Sequence, residues 1–469
     1  MLQDETRSHL AATAEHLAEA LRATPGVDAW QVATSRRDEA QVYLIGDAIE
    51  EARRSVSSED AAVILHNLHA PHAPLSGEGE SASQALGATT LTILPEEMAD
   101  QARLRARLRD GALMASLTDN QPYSLPGMPA QGFPAVAAED FALDDSMEAA
   151  VERAGQQLRA ALRMTSGVRL GSAEIYATRA EHTLTNSQGL SASKRETSVF
   201  LDLALIAGDG ANVAEFHAEL RRRRLSDLHL ERIVTAYGAF ALHALHATAP
   251  SSWQGPVVLS GEAAAQLFNP LFFGSSPFVA HASAELAYRK MSRFKVGEFV
   301  TPTEPRGDRL TLVSDATRPY GTRTSAYDSS GTPARNVTLI EGGVFKQPWA
   351  EARYAQYLGV EATGTVGNLT VNLGSTPLDQ LRSAEQGPVY EIVAFSWFNP
   401  DTVSGDFSAE IRLGYVHDQS GVRPIKGGSL VGNIFTAFGD ARFSAEPFSD
   451  GAYFGPAAIR FADLTITAG

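Results

Sequence analysis

SGDFSAEIRLGYVHDQSGVRPIKGGSLVGN, residues 404–433, opens with a glycine, a carboxylate and a serine at Gly405, Asp406 and Ser408, then runs into an alternating strand and a PIKGG turn. Alternation with a period of two marks a strand with one buried face, and glycines supply the turns that send the chain back. The stretch reads as antiparallel β, and its polar opening raises the question of whether it performs chemistry. Its surroundings read alike. In YDSSGTPARNVTLIEGGVFKQPW, residues 327–349, Asp328 and Gly331 frame a turn, NVTLIE is a strand, Gly342-Gly343 reverses it, and VFKQPW returns as its hairpin partner. From Gly255 onward short strands alternate with Gly, Asp, Asn and Pro turns, without the regular strand–helix repetition of a parallel sheet. The expected fold class is α+β: an amino-terminal α/β region followed by a large, mainly antiparallel β carboxy-terminal domain with a few helices.

Toward the amino terminus, Leu228–Thr248 reads as a long helix ended by Pro250, and residues 173–207 as antiparallel strands reversing near Asn186 to Gly189. Asp145 or Ser146 can cap a helix whose apolar face is Met147, Val151, Leu158 and Leu162. Residues 4–23 set Leu10, Leu17 and Leu21 on one helical face, AWQVATS and AQVYLIG follow as strands, and a further helix starts at Pro95. Asp119 to Phe141 carries Pro122, Pro126, Pro129 and Pro134 with little periodicity, the mark of a linker. The expected units are an amino-terminal α+β region (1–118), the Pro/Gly-rich linker (119–143), a middle α+β segment (144–235) and the β-rich carboxy-terminal domain (236–469).

The chain has 469 residues, long enough for about three domains. No window approaches the run of about 20 apolar residues that a membrane helix needs, and the polar, acidic start MLQDETRSHL differs from a signal peptide, so a cytoplasmic location is expected. The absence of cysteine excludes disulfides, thiolate nucleophiles and cysteine-ligated metals. A formal net charge of −16 repels nucleic acid, and the RRRR run at 221–224 reads as a solvated strand end or helix start.

His66, His69 and His72 in HNLHAPHAP have a helical spacing, but Pro71 interrupts it and no carboxylate is near in sequence, so no metal site is expected there. His243 and His246 share a helical face without the glutamate of a zinc helix and read as a buried or interfacial pair. No nucleophile elbow, P-loop or dinucleotide fingerprint occurs, and GGSLVGN at 427–433 lacks the lysine of a phosphate loop.

One set of motifs does point to a family. KVGEFV (295–300), VSDA (313–316), DSSGTPARNVTLIEGGVFK (328–346), EATGTVGN (361–368), LGSTPLDQL (373–381), GDFS (405–408) and PIKGGSLVGN (424–433), with LTNSQGL (184–190) upstream, resemble the TldD/TldE (PmbA) family of metallopeptidase-related proteins. The resemblance spans roughly 290 residues by order and spacing of motifs and fades over the first 130 or so. It implies two kinds of subunit. In the TldD kind, a helix after a G-x-P-V-V-L strand carries H-E-x-x-x-H, and a later cysteine completes a zinc site; the TldE kind lacks these ligands and pairs with the catalytic subunit. Here the corresponding stretch is GPVVLSGEAAAQLFNPLFFGS, 255–275, where the motif is laid on Phe268, Asn269 and Phe272, with the cysteine position near Glu410 or Ile411. A phenylalanine ring has no lone pair to offer zinc, and an amide does not take up a proton as a general base must.

The resemblance therefore implies a noncatalytic TldE-like subunit with no cofactor of its own, zinc being expected only in a TldD-like partner. It would form a heterodimer and shape a chamber for unfolded or precursor peptides, with no membrane and no nucleic acid as partners. Asp328, Gly331, Gly342, Thr363, Gly364, Asn368, Gly405, Asp406, Phe407 and Ser408 are expected to shape turns and the cavity wall, none of them as a catalyst. Two alternatives are a homodimeric peptide-binding scaffold and a hydrolase using Asp406 with Ser408, or Asp328 with nearby serines, for which no histidine base lies within a few residues.

Overall fold

The structure, a computed structural model, describes residues 2–46, 50–72, 84–144, 146–268, 276–384 and 387–468. It confirms the α+β class. α1 (Leu2–Arg22) buries Leu10, Leu17 and Leu21 on one face, as their spacing predicts. β1 (Ala29–Ile45) is one strand where the sequence suggested two. β2 (Glu50–His69) continues through the first two histidines of HNLHAPHAP, so the helical spacing there is not used. After β3 (Ala85–Ile93) the helix beginning at Pro95 divides into α2 (Pro95–Ala99) and α3 (Gln101–Ala115), because extended Asp100 ends the first and its side chain accepts the Ala102 and Arg103 N–H groups of the second. Ser146 caps α4 (Met147–Met164); Asp145, the alternative cap, lies outside the described residues.

β4 (Val168–Asn186) and β5 (Ser191–Asp209) form the expected hairpin, followed by β6 (Asn212–Arg222) and α5 (Leu230–His246). The six strands make one antiparallel sheet in the order β3-β2-β1-β4-β5-β6, with β1 pairing β4 from Gln31 with Asn186 to Ile45 with Ser172. The amino-terminal region and the middle segment therefore share one sheet. Even-numbered positions of β1 form its core face: Val32 packs with α1 and α3, whereas Val42 and Leu44 pack with α4. The 235/236 boundary falls inside α5, which packs on β5 and β6, so the second unit begins at β7 (Trp253–Ser260).

That second unit has two sheets. A seven-stranded sheet sets β7 between the parallel strand Val389–Pro400 and the antiparallel strand Ala458–Thr467, and continues through Ser429–Asn433 to Asp406–Asp418. A six-stranded sheet holds the predicted hairpin, in which Asn336–Glu341 turns at Gly342 (φ +57°) and Gly343 (φ +82°) into Val344–Phe345. Positive φ at both central residues is the geometry that matches hairpin twist. Phe268, Phe278, Phe435, Phe438, Phe443 and Phe461 join residues of both sheets in one core.

Two sequence expectations change here. The proline-rich stretch reaches both units: Asn186 Nδ2 donates to Pro126 O at 2.8 Å, and Gln356 Nε2 donates to Ser124 O at 2.8 Å, so it is a strap pinned at several points. The RRRR run does stand at the end of β6 with Arg221 solvated, but Arg222 binds Asp450 at 2.6 Å and Arg223 is 6% exposed. No helix among the described residues is long and apolar enough to cross a membrane.

Candidate functional site

β7 ends at a corner where Gly261, at φ +56° and ψ −122°, donates its N–H to Ala457 O at 2.8 Å and caps α6 (Glu262–Gln266). That backbone region is open to glycine and strained for any other residue. Ala263, Ala264 and Ala265 are buried, which aims Glu262 away from the core and into a cavity of about 900 Å³ between the two units. Its wall includes Arg222 from β6, Tyr237 and Phe240 from α5, and Phe448, Asp450 and Phe454 from the second unit. Tyr237 donates its hydroxyl hydrogen to Glu262 Oε1. Burial, reinforced by the Asp450 carboxylate, pushes the Glu262 carboxyl up to about 8 against the pull of Arg222 and Arg412. Beside it, Glu391 is 2% exposed yet ionised: burial raises its pKa, but His417 at 2.8 Å, Arg382 at 2.5 Å and Ser260 at 2.6 Å together hold it below the usual carboxylate range. One wall of this cavity thus carries a neutral and an anionic carboxyl group.

The motif positions do not gather into one site. Asp328 Oδ1 accepts from Ser330 N at 2.9 Å, Ser330 Oγ at 2.7 Å and Thr332 N at 2.9 Å, closing the DSSGT turn. Gly331, at φ +90°, sits against Leu190, where a Cβ would come within 2.4 Å of that side chain; two motifs far apart in sequence meet there. Thr363 Oγ1 accepts the Ala350 N–H at 2.8 Å, and Gly364 donates its N–H to Ala350 O at 3.0 Å. Fully buried Asn368 donates to Asp315 O at 2.9 Å and Thr324 Oγ1 at 3.0 Å, and accepts from Arg323 N at 3.0 Å. Gly405 leaves room for the Phe435 ring, which a Cβ would meet at 2.4 Å. Asp406 is held below the usual carboxylate range by Asn433 (2.8 Å) and Ser404 (2.9 Å), Phe407 is buried, and Ser408 pairs with Val431. GDFS and SLVGN are thus two strands of one ladder, and each motif tightens a turn or a strand pairing.

Residues 252–468 match the model of the PmbA/TldA metallopeptidase C-terminal domain. The uncharacterized protein MJ0231 of Methanocaldococcus jannaschii is 28% identical over 204 residues, a match that covers 40% of this chain and 45% of that relative's length. TldE from Thermococcus kodakarensis superposes with a TM-score of 0.74 at 17% identity, over 99% of this chain and 100% of that one. BT3649 from Bacteroides thetaiotaomicron, described as a proposed modulator of DNA gyrase, does so with a TM-score of 0.78 at 16% identity, over 100% of both chains. Residues 252–468 thus resemble the PmbA/TldA C-terminal domain, and the whole chain shares the fold of these structures. The amino-terminal sheet, where the motif resemblance fades, is therefore shared as a fold with both structures.

The TldD/TldE pattern places H-E-x-x-x-H on the helix after the strand, and in this structure that helix starts at Glu262. Laid directly after β7, that spacing would take Gly261, Glu262 and Gln266; laid as in the sequence, it begins at Phe268. Phe268 lies just past α6 in the aromatic core, and Asn269 and Phe272 lie outside the described residues. In either register the donors do not fit zinc: Gly261 has no side chain, Gln266 offers an amide, and Phe268 offers a ring. Glu410 and Ile411, beside the expected cysteine position, lie in the strand Asp406–Asp418, with Ile411 buried. What sequence reasoning missed is Glu262 itself; the signal lay in Gly261, which sets where the helix can begin.

A carboxyl held neutral in the fold has a definite signature. Its folded pKa of about 8 exceeds the ordinary 4.5, so the folded state binds more protons between these values and stability falls as pH rises through that window. Glu262→Gln is expected to flatten this loss and to gain about 1–3 kcal/mol over wild type at pH 9, a figure reduced because water can enter the cavity. Urea unfolding at pH 6 and pH 9 measures it; equal pH slopes for both proteins would mean that Glu262 is ionised throughout.

Proposed function

We propose that this chain is a noncatalytic, TldE-like subunit of a cytoplasmic TldD/TldE-type zinc metalloprotease complex, shaping a chamber for unfolded or precursor peptides. The observation that supports it is the segment after β7: neither Gly261 and Gln266 at α6 nor the buried Phe268 beyond it offers a zinc donor set. Gly261 has no side chain to bring a metal-bound water to Glu262. Its carboxyl is instead a neutral partner of Tyr237.

The hydrolase alternative draws no support from the geometry. Asp406 is engaged by Ser404 and Asn433, and Asp328 spends Oδ1 on its own turn, so neither orients a histidine toward a serine.

The test is peptide cleavage by this chain alone, by a TldD-like subunit carrying H-E-x-x-x-H alone, and by their mixture, with mass measured by light scattering. The chain alone is expected to be inactive, and the mixture to form a heterodimer at least about 10-fold more active than the TldD-like subunit, the scale of a positioning contribution. Cleavage by this chain alone that is lost in Glu262→Gln would overturn the proposal, as would a homodimer that ignores the partner.

A further inference from the structure

A different cluster stands where β2 runs into the strap. We propose that His69, His72 and Asp119 bind one divalent cation of the zinc class, tying the end of β2 to the start of the strap. His69 Nε2 and His72 Nδ1 each lie 3.0 Å from the same oxygen, Asp119 Oδ1. All three donor atoms lie within 4.8 Å of one another. Donors around a tetrahedral ion with bonds of about 2.0–2.1 Å sit about 3.3 Å apart, so an opening of a few tenths of an ångström would admit one.

The outer contacts leave the right lone pairs facing inward. His69 Nδ1 lies 3.3 Å from Asn67 O, a carbonyl that can hold a proton on Nδ1 and leave Nε2 to face Asp119. In that tautomer Nε2 and the carboxylate oxygen both offer lone pairs to a cation set between them. A ring nitrogen held by a backbone carbonyl is the usual orienting contact of a metal-bound histidine. Asp119 Oδ2 accepts the His72 backbone N–H at 2.8 Å, which fixes the carboxylate with Oδ1 toward both rings.

The side chains of His69 and Asp119 are 15% and 16% exposed, whereas His72 is 56% exposed, so the cluster is backed by protein and open on one side, with a fourth position for water. Two imidazoles and one carboxylate favour Zn²⁺, Co²⁺ or Ni²⁺ over Mg²⁺ or Ca²⁺, which prefer all-oxygen sites. The spacing of the histidines is visible in the sequence, but Asp119 arrives from beyond β3 and α3. The site is remote in the chain from Glu262 and independent of the function proposed above.

The experiment titrates the full, untagged, EDTA-treated chain with Co²⁺, reading its visible ligand-field bands, and with Zn²⁺ by calorimetry. One equivalent is expected to bind, with affinity falling at least about 100-fold in His72→Ala and in Asp119→Asn. Wild type should melt several degrees higher with Zn²⁺ present, a rise that His72→Ala abolishes while its metal-free melting temperature and circular dichroism match wild type. Glu262→Gln and His217→Ala, the latter removing a second histidine–carboxylate cluster with Asp202 and Glu219, should bind as wild type does. No stoichiometric binding, binding that survives His72→Ala and Asp119→Asn, or binding lost in either control would overturn the assignment.

Discussion

Replacing Arg223 by methionine is expected to lower the unfolding free energy by about 3–5 kcal/mol, the scale for breaking a buried, multiply bonded ion pair by removing one partner. The guanidinium donates to Thr197 O at 3.0 Å within the first unit, and to Gly321 O at 3.2 Å, Thr322 O at 2.9 Å and Thr324 O at 2.9 Å in the second. Its charge also faces Glu196 at 3.4 Å. Methionine keeps much of the side-chain volume but satisfies none of these oxygens, and it leaves Glu196 with less compensation. Burial alone would raise the Glu196 pKa, but His182, Arg223 and Lys194 outweigh it and hold the carboxyl down to about 2. A depressed carboxyl contributes stability that is fully present above its ordinary value of 4.5 and is lost as pH falls through about 2. The difference between wild type and Arg223→Met should therefore be largest near pH 7 and should shrink toward pH 2. Urea unfolding across that range measures it, and a pH-independent difference below 1 kcal/mol would show the arginine to be a surface charge after all.

That arginine marks the limit of what sequence can disclose. The run of four basic residues reads as solvated because the partners of Arg223, the carbonyl oxygens of Gly321, Thr322 and Thr324, have no signature in the one-letter code. Features set by near neighbours were legible: the leucine stripe of α1, the Gly342-Gly343 hairpin, and the reversal after Asn186, whose Oδ1 accepts the Gln188 and Leu190 N–H groups. Features set by distant pairing were not. Nothing in AWQVATS announces that it lies beside HTLTN, yet that pairing joins the amino-terminal region to the middle segment. The candidate site was partly legible for the same reason. The strand GPVVL located it, but that Gly261 adopts a positive φ and sets Glu262 in the cavity wall depends on contacts the sequence does not show.

Phe268→Ala is expected to cost about 3–5 kcal/mol, the range for truncating a buried phenylalanine. The ring is 1% exposed and stacks on Tyr453 at 5.7 Å between centroids, with Phe438 edge-on at 5.8 Å and Phe278 stacked at 6.3 Å. Alanine would leave a void ringed by rigid aromatic side chains, which relax poorly around a cavity. Phe268→Leu refills most of that volume and should cost less than half as much. This pair of variants separates two accounts of the turn past α6. If the position anchors an apolar core, the losses follow the volume removed, and Phe268→His is worse than Phe268→Leu because it buries a polar ring among aromatic neighbours. If the position instead retains a latent ligand site, Phe268→His should recover stability on adding Zn²⁺ in a background where His72→Ala has silenced the strap cluster. Thermal melts of that double variant with and without zinc decide it, and the aromatic packing predicts no shift.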